Sequence, residues 1–213
     1  MIRSVSTLLV GMAILLAGSG LLGTALGLRA AFENFDEART GIIMAGYFVG
    51  FVSGYWICPP IIRRVGFVRA FAAFAAMTAA AAIGYSLYVQ PIPWFALRIV
   101  NGIGLVGIYM VIESWLGTHA GAARGRVLAA YMTMNMLGLA AGQALVDLYP
   151  IEGVEPFAIA AGLFCIGLVP IALTPVMEPA RVESASVRVW RPSGSPGAGV
   201  STSPLSQQWP TTM

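Results

Sequence analysis

The chain has 213 residues, of which 58% are hydrophobic and only 10% charged. A water-soluble domain carries about 25% charged residues, so this composition cannot cover a water-facing surface and the bilayer must act as solvent. The formal charge of +3 rests on twelve arginines and no lysine; with apolar segments, short polar joints and no aromatic–basic interleaving, it gives no support to nucleic acid as a partner.

Residues 1–7 carry Arg3 as their only charge. The apolar run that follows, residues 7–28, exceeds the roughly 7–15-residue core of a signal peptide and reads as a first transmembrane span. Arg29, Glu33, Asp36, Glu37 and Arg39 mark a polar loop. The second span, residues 41–62, carries Gly46, Gly50 and Gly54 four residues apart. Such a small-xxx-small stripe lets another backbone approach closely. It reads either as packing inside the chain or as a surface for another subunit. Cys58-Pro59-Pro60 is expected to end regular helix, because proline lacks the amide donor and clashes with the preceding turn. Arg63, Arg64 and Arg69 form a basic joint. The third span, residues 67–88, is alanine-rich and reads as a peripheral helix. Trp94, with Tyr85 and Tyr88, is expected at one membrane face as an aromatic belt.

The fourth span, residues 94–116, is apolar apart from Arg98 and Asn101 near one end and Glu113 near the other. At the helical rise Arg98 and Glu113 lie roughly 22 Å apart, and an offset of about 60° puts them on one broad face. Ionisable side chains at membrane depth face a protein interior or a wet cavity. The fifth span, residues 127–148, holds Asn135 and Gln143, about 80° apart on a helix, either facing one cavity or each bonding a neighbouring helix. Gly138 and Gly142 repeat the small-residue spacing. The sixth span, residues 157–176, is expected to break at Pro170 and Pro175. Residues 1–177 thus read as one all-α, polytopic bundle. Residues 178–213, rich in Ser, Pro, Thr and Gly, read as a disordered cytoplasmic tail, a composition that also fits a truncated or frameshifted ending.

Chemistry of other kinds finds little footing. Cys58 and Cys165 sit in apolar surroundings and His119 in an expected loop, so no metal site is read. No catalytic pair and no phosphate loop is visible, so the chain is read as no enzyme, with no cofactor. Arg3, Arg63, Arg64, Arg69, Arg124 and Arg126 fall on one side of six spans. Arg29 and Arg39 fall on the other with most of the acidic residues, which makes the first side, and both termini, cytoplasmic.

The fourth span also carries a likeness. Arg98-x-x-Asn101-Gly102-x-Gly104 resembles the fourth-helix motif of the major facilitator superfamily. Glu113-Ser114-Trp115-Leu116 resembles the end of that helix in a poorly characterised bacterial branch. The resemblance covers residues 1–176, the amino-terminal half of such a transporter. It implies six helices as two inverted three-helix repeats, a substrate site between two such halves, and a bacterial inner membrane. Helices one and four would line the cavity, and helices two and five would meet the other half. Arg98, Asn101, Asn135 and Gln143 are then the substrate or coupling residues, Arg98 alternatively snorkelling to the interface beside Trp94. In the family the second–third loop reads Gly-x-x-x-Asp-Arg-x-Gly. Here Arg64, Gly66 and Arg69 match, while Pro59 and Arg63 replace the first glycine and the aspartate. Glu113 paired with Arg63, Arg64 or Arg69 would latch the cytoplasmic gate, or else lie in the headgroup region. The fifth helix lacks the Gly-Pro pair of antiporters. The implied function is ion-coupled transport of a small solute by one half of a secondary transporter; the alternative is a truncated, non-transporting membrane fragment or an interaction protein. The implied partners are the lipid bilayer, a small-molecule substrate, and a second copy or a separate carboxy-terminal half, met through Gly46, Gly50, Gly54, Gly138 and Gly142.

Overall fold

A computed structural model describes residues 2–119 and 124–173. They form α1 (Ile2–Phe32), α2 (Glu37–Val65), α3 (Phe67–Leu87), α4 (Pro91–His119), α5 (Arg124–Ala144), a 3-10 turn (Leu145–Leu148) and α6 (Glu155–Leu173). Among the described residues there is no strand. The tail expected over residues 178–213 lies outside them. His119, expected in a loop, is instead the last described residue of α4.

Of these helices, α1 to α4 are long and apolar enough to cross a membrane, which makes the chain a multi-pass membrane protein by length and composition. α5 falls short of that measure because Arg124, Arg126, Asn135 and Gln143 dilute its apolar content. α6 ranks as a shorter apolar helix.

The joints follow local chemistry. Asn34 takes a left-handed φ of 58° at the end of α1, a conformation asparagine tolerates better than most residues, and the Phe35 amide returns to the Ala30 carbonyl at 3.0 Å. Asp36 caps α2, its carboxylate accepting from the Arg39 amide at 2.7 Å. Gly66, at φ 87°, is the whole connection between α2 and α3, and its amide donates to the Ile62 carbonyl at 2.9 Å. α4 opens on Pro91, a residue whose fixed φ suits the first helical position.

Two expectations about helix ends are corrected. α2 runs through Pro59 and Pro60 to Val65, and α6 runs through Pro170 to Leu173. Proline's φ is compatible with a helix, and in membranes neighbouring groups compensate for the lost bonds. In α2 the buried face Gly46, Gly50, Gly54, Cys58, Ile62 continues at a four-residue step past both prolines, so packing holds the helix on course. The aromatic belt is also corrected. Trp94 and Tyr85 are fully buried, with the indole N–H donating to the Tyr85 carbonyl at 3.1 Å and Phe35 edge-on to Trp94 at 5.4 Å. Tyr88 alone of the three is exposed.

Of the helices adjacent in sequence only α3 and α4 pack closely; the other close pairs are α2 with α4, α1 with α5, α1 with α6, and α3 with α6. The glycine stripes decide the first two. Gly46 faces Phe95 and Arg98, Gly50 faces the Ile99 backbone, and Gly54 faces Ile103 and Val106. Gly138 and Gly142 face the Ala13 and Ala17 backbone. Both pairs run parallel, since the numbers climb together. The stripes are therefore spent inside the chain and are not a free surface for a second subunit. Gly102 meets the Tyr47 carbonyl, while Gly104 and Gly107 meet Thr78 and Phe74 of α3, so α4 fits closely against a neighbour on either side.

A Cβ at Gly50 would collide with the Ile99 carbonyl, and overpacking costs typically about 1–3 kcal/mol. Gly50→Ala should lower the unfolding free energy read from a denaturant titration in detergent by that amount. Gly23→Ala, where a Cβ meets nothing within 4 Å, should leave it unchanged or raise it by up to about 1 kcal/mol. Equal effects at both positions would show that the close approach is not what holds α2 to α4.

Candidate solute groove

On α2 each stripe glycine is followed by an aromatic: Gly46-Tyr47, Gly50-Phe51, Gly54-Tyr55. One helical step turns the side chain by about 100°, so while the glycines press on α4 the aromatics stand beside that contact. They form one wall of a groove of about 420 Å³ between α2, α4 and α5. Phe48 completes that wall; α4 contributes Val106, Tyr109, Met110 and Glu113, and α5 contributes Tyr131, Met132 and Asn135. On every helix these positions recur at three- or four-residue intervals, which places them on one face.

The aromatic rings contact one another. Phe51 lies 5.8 Å from Tyr47, 6.0 Å from Tyr55 and 6.2 Å from Tyr109, centroid to centroid. The latter two are edge-on, a favoured geometry for ring pairs. The Tyr131 hydroxyl, from a ring only 1% exposed, donates to Glu113 Oε1 at 2.9 Å. The Asn135 side chain interacts with the Tyr109 hydroxyl, and its Oδ1 is buried with no hydrogen-bond partner among the described residues. The groove thus combines an apolar aromatic wall, one carboxylate, an amide oxygen and several hydroxyls.

Of the expected substrate or coupling residues, only Asn135 lines it. Arg98 is 7% exposed, enclosed between α4 and α2, with Nη2 at 2.9 Å from Met44 Sδ and Nε without a partner. It does not snorkel to the interface. Asn101 is 1% exposed, also outside the groove, with Nδ2 unpartnered. Gln143 is exposed on α5 and does not join Asn135 in the groove. The gate residues separate as well. Arg63 and Arg64 are exposed on the last turn of α2, Arg69 is exposed on the first turn of α3, and Gly66 is the joint between them. Glu113 instead faces α5 and meets Tyr131. Among the described residues the ion pairs are Arg29 with Glu33 and Arg39 with Asp36, so none joins Glu113 to an arginine. No three His, Cys, Asp or Glu side chains among the described residues gather as metal ligands.

One arrangement had no counterpart in the sequence reading. At the end of α1 the Arg29 guanidinium donates to the Ile151 carbonyl at 3.1 Å and the Gly153 carbonyl at 3.4 Å, and also to the Glu152 carbonyl, while Nε meets Glu33 at 2.7 Å. It ties α1 to the connection leading into α6. Backbone acceptors more than a hundred residues away carry no signal in composition or spacing. The aromatic wall did carry one, since Tyr47, Phe51 and Tyr55 recur every four residues beside the glycines.

Over 179 residues the chain is 33% identical to YcaD, an uncharacterized MFS-type transporter of several Escherichia coli strains, covering 83% of this chain and 46% of the relative. It is 29% identical over 191 residues to an uncharacterized MFS-type transporter of Enterobacter sp. (strain 638), covering 88% of this chain and 50% of the relative. Over most of its own length the chain is similar to MFS-type transporters, members of the major facilitator superfamily. It spans about half the length of the curated relatives it matches. No family model matches the chain, and no solved structure matches it. Within the superfamily's fourth-helix pattern, Gly102 and Gly104 serve as packing points against α2 and α3, and Arg98 caps the upper part of the same contact through Met44 and Gly46.

Two measurements check this geometry. Hydrogen bonds within membranes are worth about 0.6 kcal/mol on average in double-mutant cycles. A cycle of Glu113→Gln and Tyr131→Phe, read by unfolding in detergent, should give a coupling of about that size and at most about 1.7 kcal/mol; strict additivity would dissolve the pair. Arg98 has no carboxylate among its described contacts, so Arg98→Met breaks no ion pair. Because burying a charge is costly, this variant should unfold at the same denaturant concentration or a higher one. A clear loss of stability would assign Arg98 a structural anchor beyond Met44.

Proposed function

We propose that the chain is the amino-terminal six-helix half of a secondary transporter, and that the groove between α2, α4 and α5 is its share of an ion-coupled path for a small solute. The observation that carries this is the groove itself: a carboxylate, a buried amide and several hydroxyls line one cavity between three largely apolar helices. Glu113 sits roughly 9 Å along the axis from the described end of α4, and an intramembrane carboxylate facing a cavity marks an ion or substrate pathway. A carboxylate there can carry a coupling proton.

The packing supports two three-helix repeats. Exchanging α1 with α4, α2 with α5 and α3 with α6 turns the α2–α4 contact into α5–α1, turns α1–α6 into α4–α3, and leaves α3–α6 unchanged. The glycine stripes follow the same exchange, α2 onto α4 and α5 onto α1. Inverted repeats of this kind underlie alternating access. On this reading α5 and α6 cross the membrane with the other four, α5 keeping Asn135 toward protein. Arginines 63, 64, 69, 124 and 126 mark the cytoplasmic side of a bacterial inner membrane, with both termini there. The outward faces of α2 and α5, with Phe48, Val52 and Trp56 and with Leu128, Met136 and Leu137 exposed, are the surface that a carboxy-terminal half or a second copy covers. That contact would use bulky side chains, since the glycines are committed inside.

Cysteine labelling tests the path. In a chain with Cys58→Ala and Cys165→Ala, Tyr55→Cys and Met132→Cys should react readily with a membrane-impermeant maleimide in native membranes opened to both faces. Ala76→Cys, exposed on the middle of α3, should stay unreactive in lipid. If the groove positions proved as inert as Ala76→Cys, no water would enter the groove and the transport reading would fail.

A further inference from the structure

The lining of the groove selects by charge and by hydrogen-bonding sense. Among the described residues its only carboxylate is Glu113, and no arginine lines it; Arg98 is closed off between α4 and α2. An anionic solute would meet a carboxylate with no counter-charge. Tyr131 donates to one carboxylate oxygen of Glu113, leaving the other as an acceptor. Asn135 Oδ1 is a second acceptor, in a side chain 9% exposed, buried without a partner and lining the same groove. A buried acceptor is rarely left unpaired, and Asn135 Oδ1, sharing the groove with the exposed carboxylate of Glu113, calls for a ligand that brings N–H donors. Around them stand Tyr47, Phe51, Tyr55 and Tyr109, whose rings attract a cation through their quadrupoles and cover an apolar body. A bare metal ion is poorly served, since hard cations want six to eight oxygen ligands or retained water. The groove volume of about 420 Å³ lies in the range of small-molecule sites.

We propose that the groove binds a protonated amine on an apolar or aromatic body, its N–H groups donating to Glu113 and to Asn135 Oδ1 and its positive charge resting against the tyrosine rings. The inference rests on the reading of the groove as a solute path and names the class of solute. A quaternary ammonium, which has no N–H, satisfies the charge but leaves Asn135 unpaired, so it binds more weakly than a primary amine of the same size.

The test is protection of the Met132→Cys reaction with the impermeant maleimide, in the background lacking Cys58 and Cys165. Phenethylammonium should slow labelling several-fold. Phenethyl alcohol and phenylacetate, which share its ring but not its charge, should not, and phenyltrimethylammonium should protect less. Adding Glu113→Gln should abolish protection while labelling without ligand continues, which shows that the groove is still formed; Asn135→Leu should reduce protection. Labelling that no amine slows, or that phenethyl alcohol or phenylacetate slows equally, overturns the amine assignment and leaves the water-filled path standing. Absence of labelling altogether removes the path and the amine together.

Discussion

The bundle depends on backbone meeting backbone across two parallel helix pairs. In lipid, helices gain little from burying apolar side chains, so association relies on close van der Waals packing. Gly46, Gly50 and Gly54 supply that closeness for α2 on α4, and Gly138 and Gly142 supply it for α5 on α1. Dispersion between individual atoms is weak, but it accumulates when two backbones lie in contact over several turns. The remaining contacts, α1 with α6 and α3 with both α4 and α6, use bulkier groups such as Leu15, Phe71, Phe74 and Phe164.

The groove is a by-product of the same registration. Because an aromatic follows each glycine, seating the glycines on α4 leaves Tyr47, Phe51 and Tyr55 no place but the adjoining face. Tyr109 and Glu113 meet them from α4, and Tyr131 and Asn135 from α5. A single four-residue rhythm therefore builds both the joint and the lining, and a change that slides α2 along α4 would disturb both.

Much of this was legible in the sequence. Sparse charge and long apolar runs announced a membrane protein, the glycine intervals announced close packing, and Arg98 and Glu113 stood out as polar groups needing an explanation. Choosing partners was harder. A glycine stripe reports that something approaches, and only the fold says that it is Ile99 or Ala17. Pro59 and Pro60 read as a stop because local hydrogen bonding argues that way, yet the tertiary face running from Gly46 to Ile62 overrides it. Trp94 read as an interfacial anchor because indoles often are; the Tyr85 carbonyl gives its N–H a partner inside. Glu113 was matched to arginines by charge, whereas a neutral tyrosine hydroxyl holds it. Gln143 and Asn135 were grouped by helical angle, but angle alone does not place two residues eight positions apart at the same depth.

The one-residue connection at Gly66 also bears on how this chain can vary in length. Most loops absorb an inserted or deleted residue by bulging into solvent. Here nothing lies between Val65 and Phe67 except a glycine in a left-handed conformation that also closes α2. If one residue were gained by extending α3 backwards, the helix would have to begin about 100° out of phase. Ala70, Phe71, Phe74 and Ala75 would turn away from α4 and α6. Length variation is thus barred at this point of the chain.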